Sequence, residues 1–349
     1  MEAGGVTMEN QMARQAALQV VYQGKDISSE LGKYLISLSY SDNPSGEYDD
    51  LQLTLADRDR LWQHSWAPAE GDKISATIKT INWTGPNEFV KLPCGSFEVD
   101  SCGVTGPPDQ VQIGALSIPA GSTSRRQRNT RAWEKATLRT IAADISKNAG
   151  LKLLFEVPYN PTYDRIEQTN QTDMAFLMET CAREGVALKV SGGSVVLFDE
   201  AEYERKAPVC TITRGKDAVL SYSFSWSVAD AIYRACVLTY TDNKGKTLSV
   251  TYTPPGAPKT GPVLKVNESA ASPAEALRTA QKRLREQNKQ YGLATLLLAG
   301  DPRMAASLTI MIAGWGRYDG KYIIERATHT VDGGGGYKTN IEIRKVLGW

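Results

Sequence analysis

Only two histidines and five cysteines occur in 349 residues. Cys94, Cys102, Cys181, Cys210 and Cys236 are scattered without a C-x-x-C pair, so a zinc site is not expected and free thiols of a reducing compartment are. Net charge is nearly absent as well: 40 basic and 39 acidic residues leave +1. No overall field exists to gather nucleic acid or an anionic membrane, and only a local patch could do so. No run of about eighteen apolar residues is present to cross a bilayer. The first residues, MEAGGVTMENQMARQ, lack the basic-then-apolar order of a signal peptide, which predicts a protein made and used from the cytoplasm. Nucleophile elbow, zinc-protease helix, Walker loop, dinucleotide fingerprint and deaminase signature are all missing. His64 and His329 stand without a neighbouring nucleophile and read as structural. The paired carboxylates of a glycosidase are a spatial feature, and nothing in the chain singles out a pair. No enzyme, cofactor or metal is expected.

What is present belongs to a folded chain, with 41% hydrophobic and 23% charged residues and enough length for two or three domains. The first 124 residues read as strands. Leu51, Leu53 and Leu55 alternate with polar residues, as do Ile74, Ala76 and Ile78, the period-two pattern of a sheet with one buried face. Between them Trp62 and Trp66 offer large apolar surfaces, either to cover the open end of a barrel or to meet a partner. Residues 122–131, STSRRQRNTR, hold four arginines and no apolar residue. They read as an exposed connector, with phosphates or an acidic subunit surface as the functional alternative.

The centre of the chain is the most regular. Leu138, Ile141, Ala142, Ile145 and Ala149 recur at helical spacing between a Thr137 cap and Gly150, which predicts a helix over 137–149. A second helix is expected from Asp173 to Glu184, with Met174, Leu177 and Cys181 on one face and Gly185 as its stop. Val186–Val190 and Val195–Phe198 then read as a glycine-turned hairpin.

Beyond it, Tyr222, Phe224 and Trp226 share one face of a strand and are expected to point into a core, with a subunit interface as the alternative. Ser272-Pro273-Ala274-Glu275 opens a helix reaching Tyr291, with Leu277, Ala280, Leu284 and Tyr291 as its apolar stripe and basic residues directed outwards. Gly333–Gly336 reads as a hairpin tip. A short repeat links the two β-rich ends. Gly95-Ser96-Phe97-Glu98-Val99-Asp100 and Gly320-Lys321-Tyr322-Ile323-Ile324-Glu325 both give G-x-aromatic-x-aliphatic-acidic after a strand and a loop, which suggests two copies of one barrel.

Trp133, Thr137, Leu138, Ile141-Ala142 and Gly150-Leu151, followed by Gln168, Asn170-Gln171-Thr172-Asp173 and Phe176-Leu177, resemble the insert domain of the late control protein D family. These are baseplate hub proteins of contractile phage tails, related to the hub portion of type VI secretion spikes. The resemblance extends to Leu51, Leu53 and Leu55, to Asp57–Trp62 and Glu70–Ile74, to Gly95–Asp100, and to Gly300-Asp301-Pro302 and Gly320–Glu325. It implies a mainly β fold with an α+β insert. Two tail-tube-like β-barrels would flank a small α/β domain, and one helix would accompany a barrel. On that pattern residues 1–16 are an N-terminal extension, 17–121 the first barrel, 122–132 a polar Arg-rich linker, 133–203 the insert and 204–349 the second barrel with helix 273–291.

The resemblance further implies a homotrimeric ring of pseudo-sixfold symmetry that joins a hexameric tail tube to a trimeric spike. Other baseplate and tape-measure proteins would be neighbours, without sequence-specific nucleic acid and without membrane insertion. Such a hub sits in the tail baseplate of a virion or injection particle after assembly in the host bacterial cytoplasm. Trp62, Trp66, Arg125, Arg126 and Arg128 are the candidate interface residues. A β-rich cell-wall or polysaccharide hydrolase of the tail tip is the alternative from another class.

Overall fold

The computed structural model describes residues 14–83, 87–117, 127–227, 232–241, 245–270, 272–334 and 336–349. Strands dominate, and the helices are few. The first segment contains β1 (Gln15–Tyr22), β2 (Lys25–Asp26), the short helix α1 (Ser28–Leu31), β3 (Leu35–Asp42), β4 (Asp50–Ala56), β5 (Lys73–Ile81), β6 (Phe89–Thr105) and β7 (Gln110–Leu116). The expected alternation holds there. Leu51, Leu53, Leu55, Ile74, Ala76 and Ile78 all face one core and are buried. A fully buried aliphatic side chain of this size stabilises by about 1.5–3 kcal/mol relative to its exposed state.

The insert contains β8 (Arg128–Thr137), α2 (Leu138–Asn148), β9 (Lys152–Glu156), β10 (Thr162–Thr172), α3 (Asp173–Glu184), β11 (Ala187–Ser191) and β12 (Ser194–Phe198). Both helices start at a threonine cap, of which Thr137 was the one expected. Thr137 Oγ1 accepts from Thr140 N–H at 3.2 Å, and Thr172 Oγ1 from Ala175 N–H at 3.4 Å. Gly185 ends α3 in the left-handed region, at φ 73°. Three strands were not anticipated. β9 joins the hairpin in parallel to β12, and β8 pairs with β10 as a separate ribbon. The residues from Arg128 onward therefore belong to a strand and not to the linker expected over 122–132. Both faces of this ribbon are largely polar, so no apolar alternation marks it in the sequence.

The last segment contains α4 (Glu200–Arg205), β13 (Thr211–Thr213), β14 (Val219–Trp226), β15 (Ala235–Thr241), β16 (Thr247–Tyr252), β17 (Val263–Asn267), α5 (Pro273–Asn288), β18 (Gly292–Leu298), β19 (Thr309–Ala313), β20 (Gly320–Asp332) and β21 (Tyr337–Lys345). Helix α5 opens on Ser272, whose Oγ accepts from Glu275 N–H at 3.2 Å, and passes into a 3-10 turn over Lys289–Tyr291. Its buried side is Ala276, Ala280, Leu284 and Asn288, one line at every fourth residue that rests on the small sheet β16-β15-β17. Leu277, assigned to the apolar stripe from sequence, lies off that line and is exposed.

The large sheet walks the same path twice. In the first segment the neighbours run β3-β4-β7-β6-β5-β1; in the last they run β14-β18-β21-β20-β19-β13. Each path curls round its own apolar cluster. The final step differs, since β1 is antiparallel to β5 while β13 is parallel to β19. The two units are fused where the second half of β20 pairs with β3, from Ala327 opposite Asp42 to Asp332 opposite Ser37.

Candidate functional site: exposed strand edges beside buried ionic junctions

Trp62 and Trp66 differ in burial. Trp62 is buried in the core, edge-on to Tyr34 and to Trp66 at ring-centroid distances of 6.5 and 5.5 Å. Trp66 packs on the same Tyr34 at 5.7 Å but leaves 40% of its surface open. Arg128 is exposed and donates to the Asn170 carbonyl at 3.2 Å. Arg125 and Arg126 lie outside the described residues.

A second exposed surface is the aromatic strand for which the sequence favoured a core position over an interface. Strand β14 has β18 on one side and, among the described residues, no strand on the other. Leu220, Tyr222 and Trp226 are 53%, 45% and 43% exposed, and only Phe224 is half-buried, against Trp315, Tyr318 and Tyr322. The expectation of a core-facing aromatic row is thus corrected, because an edge strand at the end of a sheet has too little around it to cover three rings. Arginines take up part of the surface. Arg317 lies 4.2 Å from the Trp226 ring centroid, and Arg214 donates to the Tyr222 hydroxyl at 2.8 Å while lying over its ring. The end of β6 is exposed in the same way. Ser101–Thr105 extend past β5 with, among the described residues, β7 as their one neighbouring strand, and Val104 is 49% exposed.

The signature of the insert is structural. Gln168 and Asp173 are buried, and Asp173 receives Arg131 at 2.9 Å, Asn129 at 2.9 Å and Gln168 at 2.9 Å. Arg131 also lies over Trp133 and donates to Gln168 Oε1 at 3.0 Å. These contacts lock the polar ribbon to the start of α3. They explain why glutamine and aspartate stand at that spacing.

Two further ionic clusters join parts of the chain. At the first, Lys189 of β11 reaches Asp42, Asp49 at 3.0 Å and the Asn43 carbonyl at 2.7 Å, while the other Asp42 oxygen accepts from Ala306 N–H at 2.8 Å. Insert, first unit and second unit meet on that one carboxylate. Burial pushes the Asp49 carboxyl up to about 6, with Lys189 opposing and Asp42 adding to the rise. Burial alone would lower the Lys189 ammonium, but the two aspartates outweigh it and raise it.

At the second, the buried Arg344 contacts Glu325, Glu204 and Glu200 at 2.7, 2.8 and 3.1 Å. Arg285 adds to Glu204 at 2.7 Å, and Lys289 pairs with Glu200. The basic side of α5, expected to face outwards, is largely drawn inwards here. Arg283 is likewise paired, with Glu268 and with Glu286 at 2.8 Å. Carboxylates do converge in this molecule, at Asp42 with Asp49 and at Glu200 with Glu204. Each pair is closed around a buried cation, an arrangement unlike a glycosidase acid and base flanking a substrate. Among the described residues no three His, Cys, Asp or Glu side chains gather into a metal site. No helix among them is long and apolar enough to cross a membrane.

His329 is fully buried in β20. Its Nε2–H donates to the Met304 carbonyl at 2.9 Å, and Nδ1 accepts from the Tyr337 hydroxyl at 2.7 Å, as a neutral ring requires. Burial pushes its pKa down to about 4, against the upward pull of the Met304 carbonyl, Asp42 and Asp301. Between pH 6.5 and 4 the unfolded chain therefore binds a proton that the native chain refuses, so stability falls as pH falls. The full loss is on the order of 3 kcal/mol. Urea midpoints at pH 7 and 4.5 should fall further apart in the wild type than in His329→Gln; equal slopes would contradict this account.

Comparison with known proteins places these features in context. The chain is 26% identical over 219 residues to the "Probable baseplate hub protein" of Escherichia phage 186, covering 60% of this chain and 53% of that protein. It is 26% identical over 206 residues to the protein of the same description from Escherichia phage P2, covering 56% and 49%. Its fold matches a tail protein of Neisseria meningitidis MC58, with a TM-score of 0.71, 12% identity and coverage of 96% and 98%. This chain resembles phage baseplate hub proteins. A 43 kDa tail protein of prophage MuSo2 from Shewanella oneidensis is similar too, with a TM-score of 0.68, 12% identity and coverage of 94% and 98%. The chain spans about half the length of the curated relatives it matches. No protein-family model matches it. The mainly β, tail-tube-like architecture read from the sequence agrees with these neighbours, two β-rich units flanking a small α/β insert.

Proposed function

We propose that this chain is a structural baseplate hub of a contractile tail or injection particle. Three copies form a ring of pseudo-sixfold symmetry between a hexameric tail tube and a trimeric spike, with other baseplate and tape-measure proteins as neighbours. The ring takes its place in the tail baseplate after assembly in the host bacterial cytoplasm. The observation that carries this reading is the strand path walked twice within one chain. Three such chains present six similar units, which is the symmetry conversion a hub must perform and a single-unit protein in a trimer cannot. Exposed strand edges on each unit supply surfaces that neighbours can extend by backbone pairing.

Light scattering on the purified chain tests this. The expected mass is three times the 38.1 kDa of one chain, with ring-shaped particles of sixfold modulation in electron micrographs. A chain that stays monomeric with tube and spike proteins present would overturn the proposal.

A further inference from the structure

The two units repeat down to their irregularities. In β6 the register against β7 shifts between Val99 and Ser101, making Asp100 the bulge; in β20 the register against β21 shifts between Ile324 and Arg326, making Glu325 the bulge. Val99 exchanges both backbone bonds with the chain at Gly71 and Asp72, and Ile324 does so with Ser307 and Leu308. Strands β3 and β14 correspond just as closely. Their sequences are LISLSYSD and VLSYSFSW, and both carry a register shift after the first residue, which makes Ile36 and Leu220 counterparts. Superposing the two paths therefore equates Ala327 with Cys102, His329 with Val104, Tyr40 with Phe224 and Asp42 with Trp226.

One contact lacks its counterpart among the described residues. The second half of β20 is laid along β3, with Ala327 opposite Asp42 and His329 opposite Tyr40, their rings stacked 6.0 Å apart. The equivalent strands, the end of β6 and β14, are the two exposed edges described above.

We propose that β14 of one copy receives the end of β6 from a second copy of this chain, antiparallel, with Cys102 opposite Trp226 and Val104 opposite Phe224. The proposal rests on the ring reading and deepens it by assigning the strands that close the ring. It accounts for three features together: the apolar exposure of Val104, the uncovered Tyr222 and Trp226, and the unpaired backbone edge of each strand. Val104 then covers Phe224 as His329 covers Tyr40. Each copy uses β14 once and β6 once, so the contact is heterologous and closes only as a ring. The intermolecular ladder is shorter than its internal model, because β6 ends at Thr105 whereas β20 continues to Asp332.

A natural thiol already stands on one side of this contact, since Cys102 is exposed and free. Directly opposed residues of an antiparallel pair hold their Cα atoms about 4.5–5.5 Å apart, within disulfide reach. Trp226→Cys under mild oxidant should give cross-linked species up to three chains on a non-reducing gel, with the Cys102–226 link identified by peptide mass spectrometry. Adding Cys102→Ser should abolish it. Independently, Val104→Glu should shift the light-scattering mass towards one chain at concentrations where the wild type is trimeric, while Phe89→Glu, exposed away from this edge, should not. A trimer that forms without the link and tolerates Val104→Glu would overturn the strand assignment and leave the ring intact. A wild-type chain that never associates would overturn both.

Discussion

Replacing Arg344 with methionine is expected to lower stability by about 3–5 kcal/mol, the usual cost of removing one partner from a buried ion pair. The side chain is 2% exposed and its three donor positions are each taken by a different glutamate, on α4, on α4 again one turn later, and on β20. Methionine fills most of the volume, so the loss is electrostatic and not a cavity. Glu204, 3% exposed, keeps Arg285 and the Leu347 N–H, and Glu325 loses its buried cation. Burial by itself would raise the Glu200 carboxyl, and it is Lys289 and Arg344 that hold it below its ordinary range. Lysine at 344 should recover only part of the loss, because a single ammonium cannot reproduce the planar fork of a guanidinium. Urea denaturation of the two variants measures this, and combining Arg344→Met with Glu204→Gln should cost less than the sum of the separate changes. A loss below about 1 kcal/mol for Arg344→Met would mean that water replaces the arginine, contrary to the burial described.

How much of this was legible beforehand depends on the kind of signal. Apolar periodicity marked Leu51, Leu53 and Leu55 and the faces of α2 and α3, since burying one side of a regular element leaves a regular trace. The Thr137 cap and Gly185 were readable because capping is local. The ribbon of β8 and β10 was not, because its stability comes from Asp173, Gln168 and Arg131 meeting across distant parts of the chain. Their spacing supported a family resemblance without disclosing the contacts. Helix α5 misled for a related reason: Arg285 and Lys289 look solvated until Glu200 and Glu204 are brought to them by the fold. The aromatic row of β14 has the pattern of a buried face, and only the sheet order reveals that its neighbour is missing. An interface was weighed for that row from the sequence, but the end of β6 was not singled out.

Lys189→Met should be the second severe substitution, and its signature is a dependence on pH. At pH 7 the variant leaves Asp42 and Asp49, 6% and 1% exposed, beside one another without the ammonium that joins them. A loss of about 3–5 kcal/mol is expected. Its first structural consequence should be at β11, whose Leu188 and Val190 are tied to the first unit through Ser45, Gly46 and Ser117. Hydrogen exchange at residues 187–191 should therefore rise before that of the core strands. The direction with pH follows from Asp49. Its native carboxyl already titrates at about 6, above its value in the unfolded chain, so the native state takes up the proton first as pH falls. Without the lysine that opposes this rise, protonation comes earlier still and removes the repulsion between the two aspartates. The deficit relative to wild type should shrink from pH 7 to pH 5, while the His329 contribution, common to both proteins, cancels. A deficit that grows on acidification would show that the lysine does not act through these carboxylates. Asp42 ends β3 at the position that Trp226 holds at the end of β14. The same place in the repeated unit thus carries an internal ionic junction in one copy and an exposed ring in the other, as the proposed strand pairing expects where one unit meets the insert and the other a neighbouring chain.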